Sequence, residues 1–390
     1  MIDAATRDRL VADDPACADV IKPYQRGQDV ERWWSPPSGL YMIVLKSSTD
    51  HRWPWADDSD ELKAEQHFRE TYPSLHAHMK KYEEIIDPKT GKARGLRHRE
   101  DHGRFWWELR ACAYYGAFDR SRLAYPDLSW SPSFQMLGPG TMVSNLAYII
   151  PTDEPALAVL LNAPVLWWYL STSVEHGKDE VLRLFTSFME QVPIAPSVFS
   201  DDVRADVARL QRRVARIKSA DADICDWLHH EFGLGKSVRA LENAHLRDAD
   251  AFVTAVRAAL PKKKRKFSSA EIARLKQEHA ATLTPAREAA AEVLALERKL
   301  SDLVNAAFGL SRGRGRADVA DGPAAHAARP KGRTSSPQLR RLISRRILMS
   351  ERKPATWPAK FRLRRWQTTC AADPTICGRG LRRWRPDSGK

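Results

Sequence analysis

Short apolar or aromatic runs bounded by Gly, Pro, Asn or Asp fill the first 198 residues: "GLYMIVLK", "RLAYPDL", "SFQML" and "LAYIIP". They are too short for helices and rich in residues that fit a pleated, half-buried surface, so they predict strands joined by turns. Between them "ELKAEQHFRETYPSLHAHMKKYEEII" and "EPALAVLLN" keep a helical period. Together they predict an α+β domain with an irregular mixed sheet over residues 1–198.

From Ser200 the texture changes. A serine and two aspartates open "SDDVRADVARLQRRVARIKSADADICDWLHHEFGLG", the residues that cap a helix and favour its N-terminal dipole. Val203, Val207, Leu210, Val214 and Ile217 follow at alternating spacings of four and three, the pattern of a coiled-coil seam. A second seam, Val293, Leu296, Leu300, Leu303 and Ala307, follows Thr284-Pro285 and stops at Gly309. The helix ends "ICDWLHHEFGL" and "LSDLVNAAFGL" resemble each other. Residues 199–310 are therefore predicted to form a helical coiled-coil spacer, its two seams packed on each other.

Charge divides the chain differently. Residues 311–390 hold 21 Lys and Arg against 5 Asp and Glu, whereas residues 1–310 hold 42 against 44, so the net charge of +14 comes from the tail. DNA binding by the body must then rest on local basic patches. The tail itself has no apolar periodicity and is predicted to be of low order. Its Arg, Ala, Pro and Gly composition fits either a GC-rich gene read out of frame or a basic arm that binds nucleic acid. "PKKKRKF" at 261–267 reads as a charged loop, a phosphate contact or a nuclear import signal.

Five cysteines without a C-x-x-C pair suggest neither a disulfide framework nor a zinc ribbon. No apolar run approaches the ~18 residues of a membrane span, and "ALAVLLNAPVLWWYLS" is interrupted by Asn162 and Pro164. A cytoplasmic chain with no membrane partner is expected.

Candidate chemistry is sparse. An amino-methyltransferase needs an Asp/Asn/Ser-Pro-Pro-Tyr/Phe turn to hold the flipped base, and "SPPS" at 35–38 lacks the ring. No glycine-rich loop follows a strand in a way that would cradle S-adenosylmethionine. "DELK" at 60–63 reads as a solvated helix face, "HREDH" as a charged loop, and Cys225 with His229 and His230 as helix packing. No catalytic or metal site is expected, and no cofactor within this chain. "VIKPYQRGQDVERWW", Val20 to Trp34, is different: Lys22, Arg26 and Arg32 lie among Tyr24, Trp33 and Trp34 with Gly27 at the bend. It reads either as a turn with tucked tryptophans or as a clamp on a nucleic-acid backbone.

The order of segments adds a resemblance. "VIKPYQRGQDVERW", "WWELRACAYYGAFDRSRLAYPDL", "NLAYIIP", "LAVLLNAPVLWWYLS" and "RLFTSFMEQVPIAPS" run in the order found in the TaqI-like C-terminal specificity domain of type IIG restriction-modification enzymes and their adenine-N6 methyltransferase relatives. The resemblance covers residues 2–197 well and the helices to Leu310 loosely. It implies a target-recognition domain on double-stranded DNA, with Lys22, Arg26 and Arg32 toward the duplex and Gly27 permitting close backbone approach. Trp33 and Trp34 would be mostly core. Glu108 and Arg110 of "WELR" are either an ion pair or base readers, and Tyr125-Pro126-Asp127 is a turn or a groove contact.

The family carries its methyltransferase ahead of this domain, so the resemblance implies a C-terminal fragment. S-adenosylmethionine would belong to that missing domain, or to a separate methyltransferase chain. The function expected is DNA sequence recognition in a restriction-modification system; the alternative is a coiled-coil assembly protein with no DNA role.

Overall fold

The computed structural model describes residues 1–235, 241–261 and 266–310. Most of "PKKKRKF" and the whole tail lie outside the described residues.

The fold is α+β. Strand β1 (Ile2–Asp3), helix α1 (Ala4–Asp13), β2 (Ile21–Gln25) and β3 (Leu40–Ile43) lead to helices α2 (Glu61–Thr71) and α3 (Pro73–Lys80). Asp3 caps α1 through the Thr6 amide and Asp60 caps α2 through that of Leu62. The segment expected as one helix over 61–86 is broken at Tyr72, because Pro73 cannot supply the amide an unbroken helix needs there. Its end is extended: β4 (Ile85–Ile86) pairs with β5 (Ala93–Arg94).

Seven elements complete the sheet region: β6 (Arg122–Pro126), β7 (Leu128–Ser129), β8 (Gln135–Leu137), β9 (Met142–Val143), β10 (Ala147–Pro151), helix α4 (Ala156–Asn162) and α5 (Pro164–Ser173). After β11 (Leu182–Arg183) and α6 (Thr186–Met189) the chain enters the long helices. One sheet has the order β1-β3-β2-β9, a second β10-β6-β8, and β11 pairs with β7. β8 is thus an edge strand. Just before it, the Asn162 side chain accepts from the Phe134 amide at 3.1 Å and donates to its carbonyl at 2.8 Å.

Helix α7 (Asp201–Phe232) is capped by Ser200 and ends at Gly233 in the left-handed region, as its sequence signals predict. α8 (Ala249–Ala259), α9 (Ser269–Glu278) and α10 (Thr284–Ala307) follow. α7 and α10 pack along each other, and all five residues of the first seam are buried. The second seam drifts: Leu296, Leu300 and Val304 are buried, while Val293, Leu303 and Ala307 are only partly covered. α10 also meets α4 and the turn at Pro196–Val198, so its apolar stripe serves two neighbours rather than one partner helix.

The largest core therefore crosses residue 198. Leu123, Phe134, Leu157 and Leu166 form one cluster with Val203, Leu210, Leu300 and Val304. The Glu154 carboxylate, buried at the start of α4, is gripped by Arg204 of α7 at 2.6 Å. A second core gathers Trp55, Phe68, Trp106 and Trp107 on α1, α2 and α3, and a third joins the end of α7 to α8 and α9. Among the described residues no single helix is long and apolar enough to cross a membrane; α4 and α5 meet at 60° and line the largest core.

Candidate nucleic-acid interface

β2 is the strand from which the interface is built. It pairs antiparallel with β3 (Lys22 opposite Met42) and parallel with β9 (Tyr24 opposite Met142). Side chains alternate along a strand, so Lys22 and Tyr24 share the face carrying Met42 and Met142. Val44, Phe118 and Met142 form a small core there, edged by Tyr24, Met42, Leu109 and Tyr115. Arg110 follows Leu109 and is exposed; its carbonyl accepts the Tyr115 hydroxyl at 3.2 Å. Two of the sequence-chosen cations, Lys22 and Arg110, thus border one aromatic surface.

Lys46 joins them, its Nζ 5.6 Å from the Tyr115 ring centre. Among the described residues none of Lys22, Lys46 and Arg110 pairs with a carboxylate. Burial pushes the Tyr115 hydroxyl up to about 12, so it stays a donor at neutral pH. Sequence reading missed Lys46, although the alternation Met42, Val44, Lys46 in "GLYMIVLK" is the signal that returns it to this face.

After β2 the chain turns through Gly27–Asp29. The Arg26 guanidinium, 45% exposed, donates to both Asp29 oxygens at 2.9 and 2.8 Å, and the Arg26 amide donates to the same carboxylate. Burial alone would raise the Asp29 carboxyl; these Arg26 contacts hold it below its usual range. Gly27 does make a close backbone approach, but to its own chain: a Cβ there would lie 2.4 Å from the Leu146 carbonyl oxygen. Its amide donates to the Ser144 hydroxyl at 3.1 Å.

Arg32 requires a correction. Its side chain turns inward, with Nε 3.1 Å from Glu297 of α10 and the guanidinium 5.5 Å from the Trp33 ring. Burial lowers this guanidinium and Glu297 opposes the shift, which is the environment of a packed residue rather than of a phosphate contact. Trp33 is 3% exposed, and its indole donates to Glu297 at 2.6 Å. Its φ of 65° places it in the left-handed region, a conformation that costs about 1–3 kcal/mol and that the surrounding core offsets. Beside it Lys218 of α7 reaches Glu31 at 2.7 Å and sits 5.1 Å from the Trp34 ring. The end of "VIKPYQRGQDVERWW" is therefore a joint to α7 and α10.

Tyr125 is also corrected. It is 2% exposed between Phe134 and Tyr148, and burial raises its hydroxyl. A groove contact by this ring is excluded by its position. Glu108 is neither an ion-pair partner of Arg110 nor a base reader. It is fully buried and accepts from the Ser48 amide and hydroxyl, the Trp55 indole, and the Arg104 and Phe105 amides. Among the described residues no group of three or more His, Cys, Asp and Glu is placed to hold a metal ion; the His229 ring bonds the Leu234 carbonyl instead.

A family model described as "Domain of unknown function (DUF8810)" matches residues 200–304, from the start of α7 into α10. No curated protein matches the chain. Among solved structures the chain is similar to the type IIL restriction-modification enzyme MmeI in complex with DNA, at 12% identity and a TM-score of 0.34. That likeness covers 82% of this chain and 32% of the other, so the chain spans about a third of that enzyme's length.

Proposed function

We propose that the chain is a DNA sequence-recognition module of a restriction-modification system, acting beside an adenine-specific methyltransferase that holds S-adenosylmethionine. The order of five segments resembling the TaqI-like specificity domain supports this reading. The observation that carries it is the aromatic surface of Tyr24 and Tyr115 bordered by Lys22, Lys46 and Arg110, three cations without carboxylate partners among the described residues, on a body whose 42 basic and 44 acidic residues otherwise balance. Cations left unpaired beside aromatic rings suit phosphates along a duplex. Arg26, fixed by Asp29 but still exposed, extends this edge toward Leu146. Residues 1–198 would supply the contacts and residues 199–310 the support on which they are held.

An assembly role for the seams has less behind it, since Val203, Val207, Leu210, Leu296, Leu300 and Val304 are covered within this chain. The test is fluorescence anisotropy of a labelled random-sequence 30-bp duplex, titrated against the chain over a series of salt concentrations. Parent binding is expected to weaken steeply with salt, and the triple change Lys22→Ala, Lys46→Ala, Arg110→Ala is expected to flatten the slope by about one unit per lost phosphate contact. An unchanged slope in the triple variant defeats the proposal.

A further inference from the structure

Between α3 and Trp106 the chain forms a hairpin that the body does not cover. β4 and β5 set Ile85 opposite Arg94 and Ile86 opposite Ala93. The turn between them closes on itself. Asp87 Oδ1 accepts from the Lys89 and Thr90 amides at 2.8 and 3.0 Å, the Asp87 amide donates to the Lys92 carbonyl at 3.0 Å, and Gly91, at a φ of 65°, donates to the Asp87 carbonyl at 2.8 Å.

A two-stranded hairpin is marginal in water by itself, so its order must come from its root. Gly95 sits there with a φ of 119°, which suits glycine, and a Cβ at this position would strike the Glu83 and Tyr82 carbonyls. Those two carbonyls accept from the Arg97 and Leu96 amides at 3.1 and 2.8 Å. The Arg97 guanidinium adds the carboxylates of Glu83 at 2.9 Å and Glu61 at 2.6 Å. The ribbon is thus fixed at its base and bare along its length. Ile86 is 63% exposed and Ile85 43%, and among the described residues neither joins a hydrophobic cluster. Residues 85–94 hold Lys89, Lys92 and Arg94 against Asp87 alone. Arg94 pairs with Asp87 at 3.1 Å, and among the described residues Lys89 and Lys92 pair with no carboxylate.

We propose that this hairpin is a second DNA contact, a ribbon that enters the major groove. That groove admits a two-stranded β-ribbon. Its walls are lined by phosphates, which suit Lys89 and Lys92 at the tip, and its floor offers thymine methyl groups, which suit the exposed Ile86. Lysines beside an open strand edge discourage pairing with a second copy of the chain, so the charge favours a polyanion over self-association. The arm rests on the DNA-recognition reading above and adds to it a site that shares no residue with Lys22, Lys46 and Arg110.

The test compares the full chain with its Lys89→Ala, Lys92→Ala double variant on two duplexes of one sequence, one plain and one whose cytosines carry glucosylated 5-hydroxymethyl groups that fill the major groove. On the plain duplex the double variant is expected to bind with a salt slope flatter by about two units, at the parent's melting temperature. The parent is expected to bind the filled duplex on the order of tenfold more weakly than the plain one, and the double variant to lose most of that difference. A double variant with the parent's slope overturns the arm, and the recognition reading stands if Lys22→Ala, Lys46→Ala, Arg110→Ala still flattens it. A flattened slope with no penalty for the filled duplex, or with the same penalty in parent and variant, overturns groove entry. A changed sedimentation coefficient at an unchanged slope marks an interface between copies and overturns the arm as well. If the parent binds neither duplex, the recognition reading falls and takes the arm with it.

Discussion

Glu108 is a buried carboxylate held by neutral donors alone, reached from Ser48, Trp55, Arg104 and Phe105. Glu108→Ala would leave several buried N–H groups unmet at about 1–3 kcal/mol each, so roughly 4 kcal/mol or more of stability is expected to be lost in chemical denaturation. Glu108→Gln, which keeps an acceptor, should lose less. Two adjacent positions make a second contrast. Trp33→Ala is expected to cost ~3–5 kcal/mol, whereas Lys22→Ala should stay within about 0.5 kcal/mol of the parent while weakening DNA binding. Arg32→Ala belongs with Trp33, since it removes the cation beside Glu297. The burial of Trp33 was legible because large rings are mostly core. The roles of Glu108 and Arg32 were not, because their partners Trp55 and Glu297 lie far along the chain and only the fold brings them close. Tyr125 misled because an aromatic with a hydroxyl at a strand end fits a core and a groove equally well.

At the scale of elements, the turn after β2 is shaped by Gly27. A methyl group there meets the Leu146 carbonyl, which is backbone and cannot rotate away. Gly27→Ala is expected to lower stability by about 1–3 kcal/mol, read as a drop in melting temperature, and to disturb Asp127, whose amide bonds the same carbonyl. The longer elements were readable from local signals: Ser200 and Gly233 bound α7, and short apolar runs bounded by turn residues mark β6 and β10. Two-residue strands such as β4, β7 and β11 were not, because so short a run carries no period and exists only through its partner. The second seam was readable as an apolar face but not in its phase, since α10 also packs on α4 and buries Val304 where a lone helix pair would have used Leu303.

At the scale of the whole molecule, the change of texture near residue 198 is a change of secondary structure inside a continuous core. Leu300→Ala is expected to cost ~2–5 kcal/mol and to reduce hydrogen-exchange protection in β6, β10 and α4 along with α7. Separate melting of the sheet region and the α7–α10 pair would contradict this. By the same reasoning a fragment ending at residue 198 is expected to show no cooperative thermal transition, because Leu157, Leu166 and Trp33 would lose the helices that cover them. The Asn162 amide has a further consequence at this scale. By occupying both backbone groups of Phe134, just ahead of β8, it does at that end of the β10-β6-β8 margin what another strand would do, so a second molecule cannot start a ladder at that residue. Asn162→Ala reopens that ladder, and its first symptom is expected to be concentration-dependent light scattering in solutions that are still folded by circular dichroism.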